Sequence, residues 1–259
     1  MSLVLADVRD GVGTLTLNHP KKANALSREL VAGIVAALTD FRDKKVRAVI
    51  LRAQPGARIW SAGHDVGELP ESRRDPLGWD DPLRNLIREI EVFPAPVIAM
   101  VEGGVWGGAT ETVFACDLIV AAPNAAFAIT PAKLGVPYNV SGMLTFLNSA
   151  CIRIVKEMAF TAKPVTAERA ERLGLINHVV PNEALEAFTC DLAREITSLA
   201  PLSIAVMKEQ LRILAGAHPM SPQGFERIQG LRRVVYDSHD YAEGIRAFKE
   251  KRPPVFKGE

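Results

Sequence analysis

The sequence predicts an α/β protein with a helical C-terminal region. Two patterns carry this prediction. Short apolar runs at residues 46–51, 97–101 and 117–122 read as buried strands, and residues at helical spacing separate them. Strands joined by helices in this way form a parallel sheet covered by those helices. After about Pro201 the strand signals stop, and residues 204–214, 225–236 and 241–251 are helical in period. No Ser/Gly-rich linker precedes this tail, so it is expected to dock on the core. The expected division is an α/β core over residues 1–200 and a helical assembly region over 201–259.

Each element has its own local signal. Residues 3–7 run to a turn at Asp10-Gly11, and Gly13-Thr14-Leu15-Thr16-Leu17 returns with period-two alternation. Ser27 is placed to cap a helix with Leu30, Val31, Ile34, Val35, Leu38 and Phe41 on one face. Strand 46–51 leads to Ser61-Ala62-Gly63-His64-Asp65. Asp81 caps a helix that opens with Pro82 and carries Leu83, Leu86, Ile87 and Ile90 on one face. Strand 97–101 leads to Gly107-Gly108-Ala109-Thr110-Glu111, with a helix starting near Gly108. Residues 117–122 form the third strand, and 127–138, which hold Pro131 and Pro137, read as a structured loop. Helices follow at 141–150 and 152–160, and Thr166 caps another that Gly174 ends. Residues 176–180 form a last short strand.

Bulk properties exclude several classes. The 259 residues carry a formal net charge of +1, which gives no global pull toward nucleic acid or an anionic membrane. No basic run is interleaved with aromatics, so no nucleic-acid partner is expected. No apolar run is long enough to span a bilayer, so no membrane partner is expected either. The three cysteines, Cys116, Cys151 and Cys190, form no CxxC pair and no disulfide framework. The N-terminus reaches Asp7 before a signal-peptide core could form, and a cytoplasmic protein is expected. His19, His178, His218 and His239 show no ligand spacing and read as surface or structural; no metal site is expected.

The chemistry lies in the two glycine-bearing segments, each following a strand. Small residues there let a ligand approach the backbone closely. Two such turns side by side can aim two N–H groups at one oxygen, which suits a reaction that puts negative charge on a thioester oxygen. The helix dipole adds positive potential where Gly108 presents its N–H. Neither segment has the spacing of a P-loop or of a dinucleotide fingerprint.

Ser61-Ala62-Gly63-His64-Asp65 and Gly107-Gly108-Ala109-Thr110-Glu111 resemble the two signature segments of the crotonase, or enoyl-CoA hydratase/isomerase, superfamily. The similarity runs from the N-terminal hairpin, through Asn24-Ala25-Leu26, to Ala247-Phe248-Lys249-Glu250-Lys251. It implies a spiral of ββα units, acyl-CoA substrates, and a C-terminal helical region that makes homotrimers, often paired as hexamers. It implies that the N–H groups of His64 and Gly108 form the oxyanion hole. It also implies that Ala62, Gly63, His64, Asp65 and Val66 lie against the coenzyme, with Phe248 and Lys251 reaching a CoA site from the C-terminal region. Lys21 and Lys22 are candidates for its phosphates or ordinary solvated charges.

The chain departs from the family's hydratases, which use two glutamates. Glu111 stands at the first position, but near Thr130-Pro131-Ala132 there is no acid. One carboxylate is poorly equipped to hold a water and also relay its proton. Instead come Trp106, Thr130-Pro131, Leu134-Gly135-Val136-Pro137-Tyr138-Asn139, Phe225-Glu226-Arg227-Ile228-Gln229-Gly230 and Tyr236-Asp237-Ser238. This set resembles the branch of the superfamily that removes CO2 from malonyl-type thioesters. The resemblance implies conversion of methylmalonyl-CoA to propionyl-CoA through an enolate, with no cofactor. The Tyr138 hydroxyl could hold the departing carboxylate out of the thioester plane without strongly stabilising its charge, and Thr130 could help. Glu111 either protonates the enolate carbon or is a structural group within its helix. His64 acts through its backbone alone or also lines the pocket with its imidazole. Asp65 and Asp117 read as cap or turn residues. The alternatives are hydration or isomerisation of an enoyl-CoA, and a non-catalytic acyl-CoA-binding subunit.

Overall fold

The computed structural model describes residues 2–69, 81–217 and 219–259; His218 therefore lies outside the described residues. Strands β1 (Val4–Arg9) and β2 (Val12–Leu17) form the expected hairpin. Its turn places Asp10 and Gly11 at positive φ, 51° and 77°. Helix α1 (Arg28–Asp43) starts at Ser27, whose side chain accepts from the Leu30 N–H at 3.3 Å.

The chain then winds in repeated turns. Each turn lays a strand into a first sheet, steps to a short strand in a second sheet, and closes with a helix where one follows. Strands β3 (Ala48–Ala53) and β4 (Ile59–Ser61) lead to α2 (Pro82–Val92). Strands β5 (Val97–Val101) and β6 (Gly104–Trp106) lead to α3 (Gly108–Phe114). Strands β7 (Leu118–Ala121) and β8 (Ala126–Ala128) repeat the step and lead through a 3-10 turn, Pro131–Leu134, to α4 (Val140–Ser149). Helix α5 (Ile152–Thr161), β9 (Val165–Thr166), α6 (Ala167–Arg172), β10 (His178–Val179) and α7 (Leu185–Ser198) complete the core. The first sheet has the order β1-β2-β3-β5-β7-β10 and the second β4-β6-β8-β9. All pairings are parallel except β1 with β2 and β8 with β9. This is a spiral of ββα units.

Period-two alternation explains why both faces of the first sheet are apolar. Val49, Leu51, Val97 and Ala99 face α1 and α2, among Leu30, Ile34, Leu38, Phe41 and Leu86. Ala48, Ile50, Ile98 and Met100 face α7, among Leu185 and Ala193. Truncating one such buried leucine to alanine costs about 2–5 kcal/mol.

Three differences from the sequence expectation stand out. The first core strand begins two residues late, at Ala48, and the last shrinks to His178–Val179. Strands β4, β6, β8 and β9 carry no sequence signal, because two or three residues cannot display a period. Phe127, assigned to a loop, is fully buried in β8.

The tail forms α8 (Pro201–Ala215), α9 (Pro222–Tyr236) and α10 (His239–Lys249). It is docked, as expected. The Lys208 ammonium of α8 donates to the Ile90 and Ala95 carbonyls at 3.0 and 3.2 Å and pairs with Asp117 at 2.7 Å. Asp117 stands in the bend before β7 and also accepts from the Val97 N–H at 2.7 Å. Among the described residues no helix is long and apolar enough to cross a membrane.

Candidate active site

The two glycine segments meet where adjacent turns of the spiral stack. Gly63 follows β4 and Gly107 follows β6, and these strands pair in parallel. Gly63 takes φ +85°, and a β-carbon there would collide with the Trp106 carbonyl oxygen and stand 3.0 Å from the Gly108 nitrogen. A β-carbon on Gly108 would stand 3.3 Å from the His64 nitrogen. The His64 and Gly108 nitrogens are therefore neighbours. Gly108 is the first residue of α3, so its N–H has no partner within the helix. An oxyanion hole needs two such neighbouring backbone N–H groups.

The loop that carries His64 is tied down residue by residue. The Ala62 N–H donates to the Ala23 carbonyl at 2.9 Å and the Leu26 N–H to the Gly63 carbonyl at 2.7 Å. The Ser61 hydroxyl donates to the Asn24 carbonyl at 2.7 Å, and the Asn24 amide donates to the Trp60 carbonyl at 2.9 Å. This explains why Asn24-Ala25-Leu26 accompanies the glycine segment. Asp65 caps a 3-10 turn through the Gly67 N–H and pairs with Lys22 at 3.0 Å. Its hydrogen bonds to Lys22 and Gly67 outweigh its partial burial, holding its carboxyl below the usual range.

The His64 imidazole is held from two sides. Nε2 lies 3.2 Å from an Asp81 carboxylate oxygen, and Nδ1 lies 3.2 Å from the Asp65 carbonyl. Burial works against the imidazolium, but the hydrogen bond and charge of Asp81 prevail and raise the His64 pKa. The other Asp81 oxygen caps α2, accepting from the Leu83 and Arg84 N–H groups.

Glu111 lies one turn into α3 and is fully buried. Arg84 of α2, itself buried, donates to Glu111 Oε1 through Nη2 and to the Ser141 hydroxyl through Nη1 at 3.1 Å. Ser141 donates in turn to Asn139 Oδ1, the N-cap of α4. Burial raises the Glu111 pKa, opposed by Arg84. Tyr138 packs edge-on against Phe146, ring centroids 5.2 Å apart. Its hydroxyl is buried, and so is Glu111 Oε2; neither has a hydrogen-bond partner among the described residues. Burial, and after it the Glu111 charge, push the phenol pKa well up, so the hydroxyl stays a neutral donor. Gly142 makes room for both groups: a β-carbon there would stand 2.7 Å from Tyr138 Cδ1 and 3.0 Å from Glu111 Oε1. Thr130 Oγ1 stands against Gly107, 2.8 Å from where its β-carbon would be.

The site thus gathers His64, Gly108, Glu111, Thr130 and Tyr138. It does not gather Phe248 or Lys251. Phe248 is 54% exposed on α10, and Lys251 is exposed just past its end at φ 55°. No hydrogen bond or ion pair among the described residues ties either to the segment 62–66. Sequence reasoning missed Arg84 and the second role of Asp81. Arg84 had a signal: it falls on the same helical face as Ile87, inside an apolar stripe where a cation needs a partner.

A family model described as enoyl-CoA hydratase/isomerase matches residues 7–259. The methylmalonyl-CoA decarboxylase of Escherichia coli (strain K12) is 51% identical over 247 residues, covering 95% of each chain. The carnitinyl-CoA dehydratase of Salmonella typhi is 36% identical over 253 residues, covering 94% of each. A solved structure of methylmalonyl-CoA decarboxylase in complex with 2-nitronate-propionyl-CoA superposes with a TM-score of 0.98, at 50% identity and 99% coverage of both chains.

Proposed function

The chain belongs to the enoyl-CoA hydratase/isomerase family, and from that premise we propose that it is a carboxy-lyase converting methylmalonyl-CoA to propionyl-CoA and CO2. One observation carries the reading. The site's candidate acid, Glu111, is clamped by Arg84, while a neutral hydroxyl, that of Tyr138, is buried beside it with no partner among the described residues. A hydratase needs carboxylates that handle water; a decarboxylase needs an oxyanion hole and a weak grip on the leaving carboxylate.

In this mechanism the thioester oxygen accepts from the His64 and Gly108 N–H groups. The Tyr138 hydroxyl donates to the substrate carboxylate and holds it out of the thioester plane, with Thr130 beside it. The C–COO⁻ bond breaks, its electron pair enters the thioester as an enolate, and CO2 leaves. Charge accumulates on the oxygen that the two N–H groups face, so they bind the transition state more tightly than the substrate. The enolate carbon then takes one proton from water, the thioester carbonyl re-forms, and each turnover consumes one solvent proton. Arg84 neutralises Glu111, which would otherwise repel the substrate carboxylate.

The coenzyme is proposed to lie along Ala62, Gly63, His64, Asp65 and Val66, with Phe248 and Lys251 serving a CoA site from a neighbouring subunit. A homotrimer, alone or paired as a hexamer, is proposed to form through residues 201–259. Exposed Leu202, Leu211 and Leu214 on α8 and Leu231 and Val234 on α9 support that assembly. Cys116, Cys151 and Cys190 are free thiols, which suits the reducing cytoplasm proposed as its home.

Mass spectrometry of the purified protein with methylmalonyl-CoA, and with crotonyl-CoA in parallel, tests the reading. Conversion of the first to propionyl-CoA with little hydration of the second is expected. Hydration of crotonyl-CoA without CO2 loss from methylmalonyl-CoA would overturn it.

A further inference from the structure

We propose that Tyr236 is a positioning residue for Tyr138; the proposal rests on the decarboxylation reading above. Tyr138 belongs to the loop between the Pro131–Leu134 turn and α4. Asn139 anchors the loop on the α4 side by accepting from the Gly142 N–H at 2.8 Å. On the other side, the Tyr236 hydroxyl donates to the Pro137 carbonyl at 3.1 Å. That carbonyl belongs to the peptide plane that leads directly into Tyr138, so pinning it fixes the direction in which the Tyr138 side chain leaves the backbone.

Tyr236 is built to hold this bond. It closes α9 and is 1% exposed. Its hydroxyl accepts from Arg232 Nη2, one turn earlier, at 3.3 Å. The Arg232 guanidinium lies 5.6 Å from its ring centroid, and the Tyr241 ring packs edge-on at 5.3 Å. The ring sits in an apolar cluster with Leu69, Val136, Tyr241 and Ile245, against which Val66 packs. Val66 and Leu69 come from the stretch that follows His64. The cluster therefore joins the oxyanion segment to the Tyr138 loop. A phenylalanine would fill it equally well, whereas a buried hydroxyl is costly unless it is hydrogen-bonded. The donor's described acceptor is the Pro137 carbonyl. This also accounts for Tyr236-Asp237-Ser238, a segment that the chemistry itself does not use.

Tyr236→Phe keeps the ring and removes the bond. A loosened Tyr138 predicts a kcat for methylmalonyl-CoA lower by about tenfold, because small errors in placing a catalytic group slow the reaction steeply. KM is expected to stay unchanged, as is the affinity for propionyl-CoA, which lacks the carboxylate. In a Tyr138→Phe background the second substitution is expected to cost nothing further, since it acts only through the hydroxyl already removed. An equal loss in both backgrounds would show a general effect on the fold and overturn the proposal, as would an unchanged kcat for Tyr236→Phe. If Tyr138→Phe alone leaves kcat unchanged, the carboxylate-holding role of Tyr138 falls, and this proposal falls with it.

Discussion

Gly63 and Gly108 place adjacent N–H groups, yet a methyl group costs them differently. At Gly63 a β-carbon meets backbone, the Trp106 carbonyl, and the φ of +85° disfavours any side chain. At Gly108 the nearest atom is Leu83 Cδ2 at 2.8 Å, the end of a side chain that can turn away. Gly63→Ala is expected to push the neighbouring His64 N–H out of place and lower kcat roughly a hundredfold or more, the usual effect of losing an oxyanion donor. Gly108→Ala is expected to lose less. Turnover assays on both variants check the order. The Arg84–Glu111 pair makes a second prediction. Arg84→Met leaves a buried carboxylate without its cation and is expected to destabilise the fold by about 3–5 kcal/mol in urea unfolding. Adding Glu111→Gln is expected to recover much of that loss, and turnover by the double variant would assign Glu111 to the fold rather than to the chemistry. The glycines and Tyr138 were legible in the sequence because turn residues and a proline-bounded loop announce themselves locally. Arg84 stood out only as a cation inside an apolar stripe; its pairing with Glu111 was not legible, because that partner lies 27 positions away and on another helix.

At the scale of elements, α2 is coupled to the oxyanion segment through one residue. Asp81 caps the helix with one oxygen and holds His64 with the other. The raised His64 pKa means that the folded state binds the proton more tightly than the unfolded chain does. Stability from this pair is therefore fully present below the unfolded histidine value of about 6.5 and is lost as pH rises through the folded value. Asp81→Asn keeps a good cap and removes the charge. Melting temperatures measured upward from pH 6 are expected to fall in the parent chain relative to the variant, with the difference vanishing once His64 is neutral. Equal pH dependence in both would sever the coupling. The cap at Asp81 could be read from sequence, since a cap is a local device followed by Pro82. Its bond to His64 could not, because the two residues lie 17 positions apart and no local pattern links them.

At the scale of the whole molecule, the spiral explains why a site assembled from distant segments holds its shape. Each turn of the chain stacks on the last, so the loops after β4, β6 and β8 come to one place. The same winding leaves the tail outside, where Lys208 locks α8 to the core while its neighbours face outward. Leu202 is 82% exposed, Leu211 68% and Val234 69%, and apolar side chains this open, on a helix α8 that buries no residue and on α9, call for a covering surface. A second copy of the chain fits best, since the interface of a closed ring repeats the same patches on every subunit. Leu211→Glu with Val234→Glu places two charges where the proposed assembly buries apolar surface. Sedimentation velocity is expected to show an oligomer for the parent chain and a folded monomer for the variant. Neither substitution removes Lys208 or its partners Ile90, Ala95 and Asp117, so α8 should stay attached and the far-ultraviolet circular dichroism is expected to stay unchanged. A parent chain that sediments as a monomer would remove the assembly role of residues 201–259. It would also return Phe248 and Lys251 to ordinary surface positions, because their proposed contact with CoA depends on a neighbouring subunit.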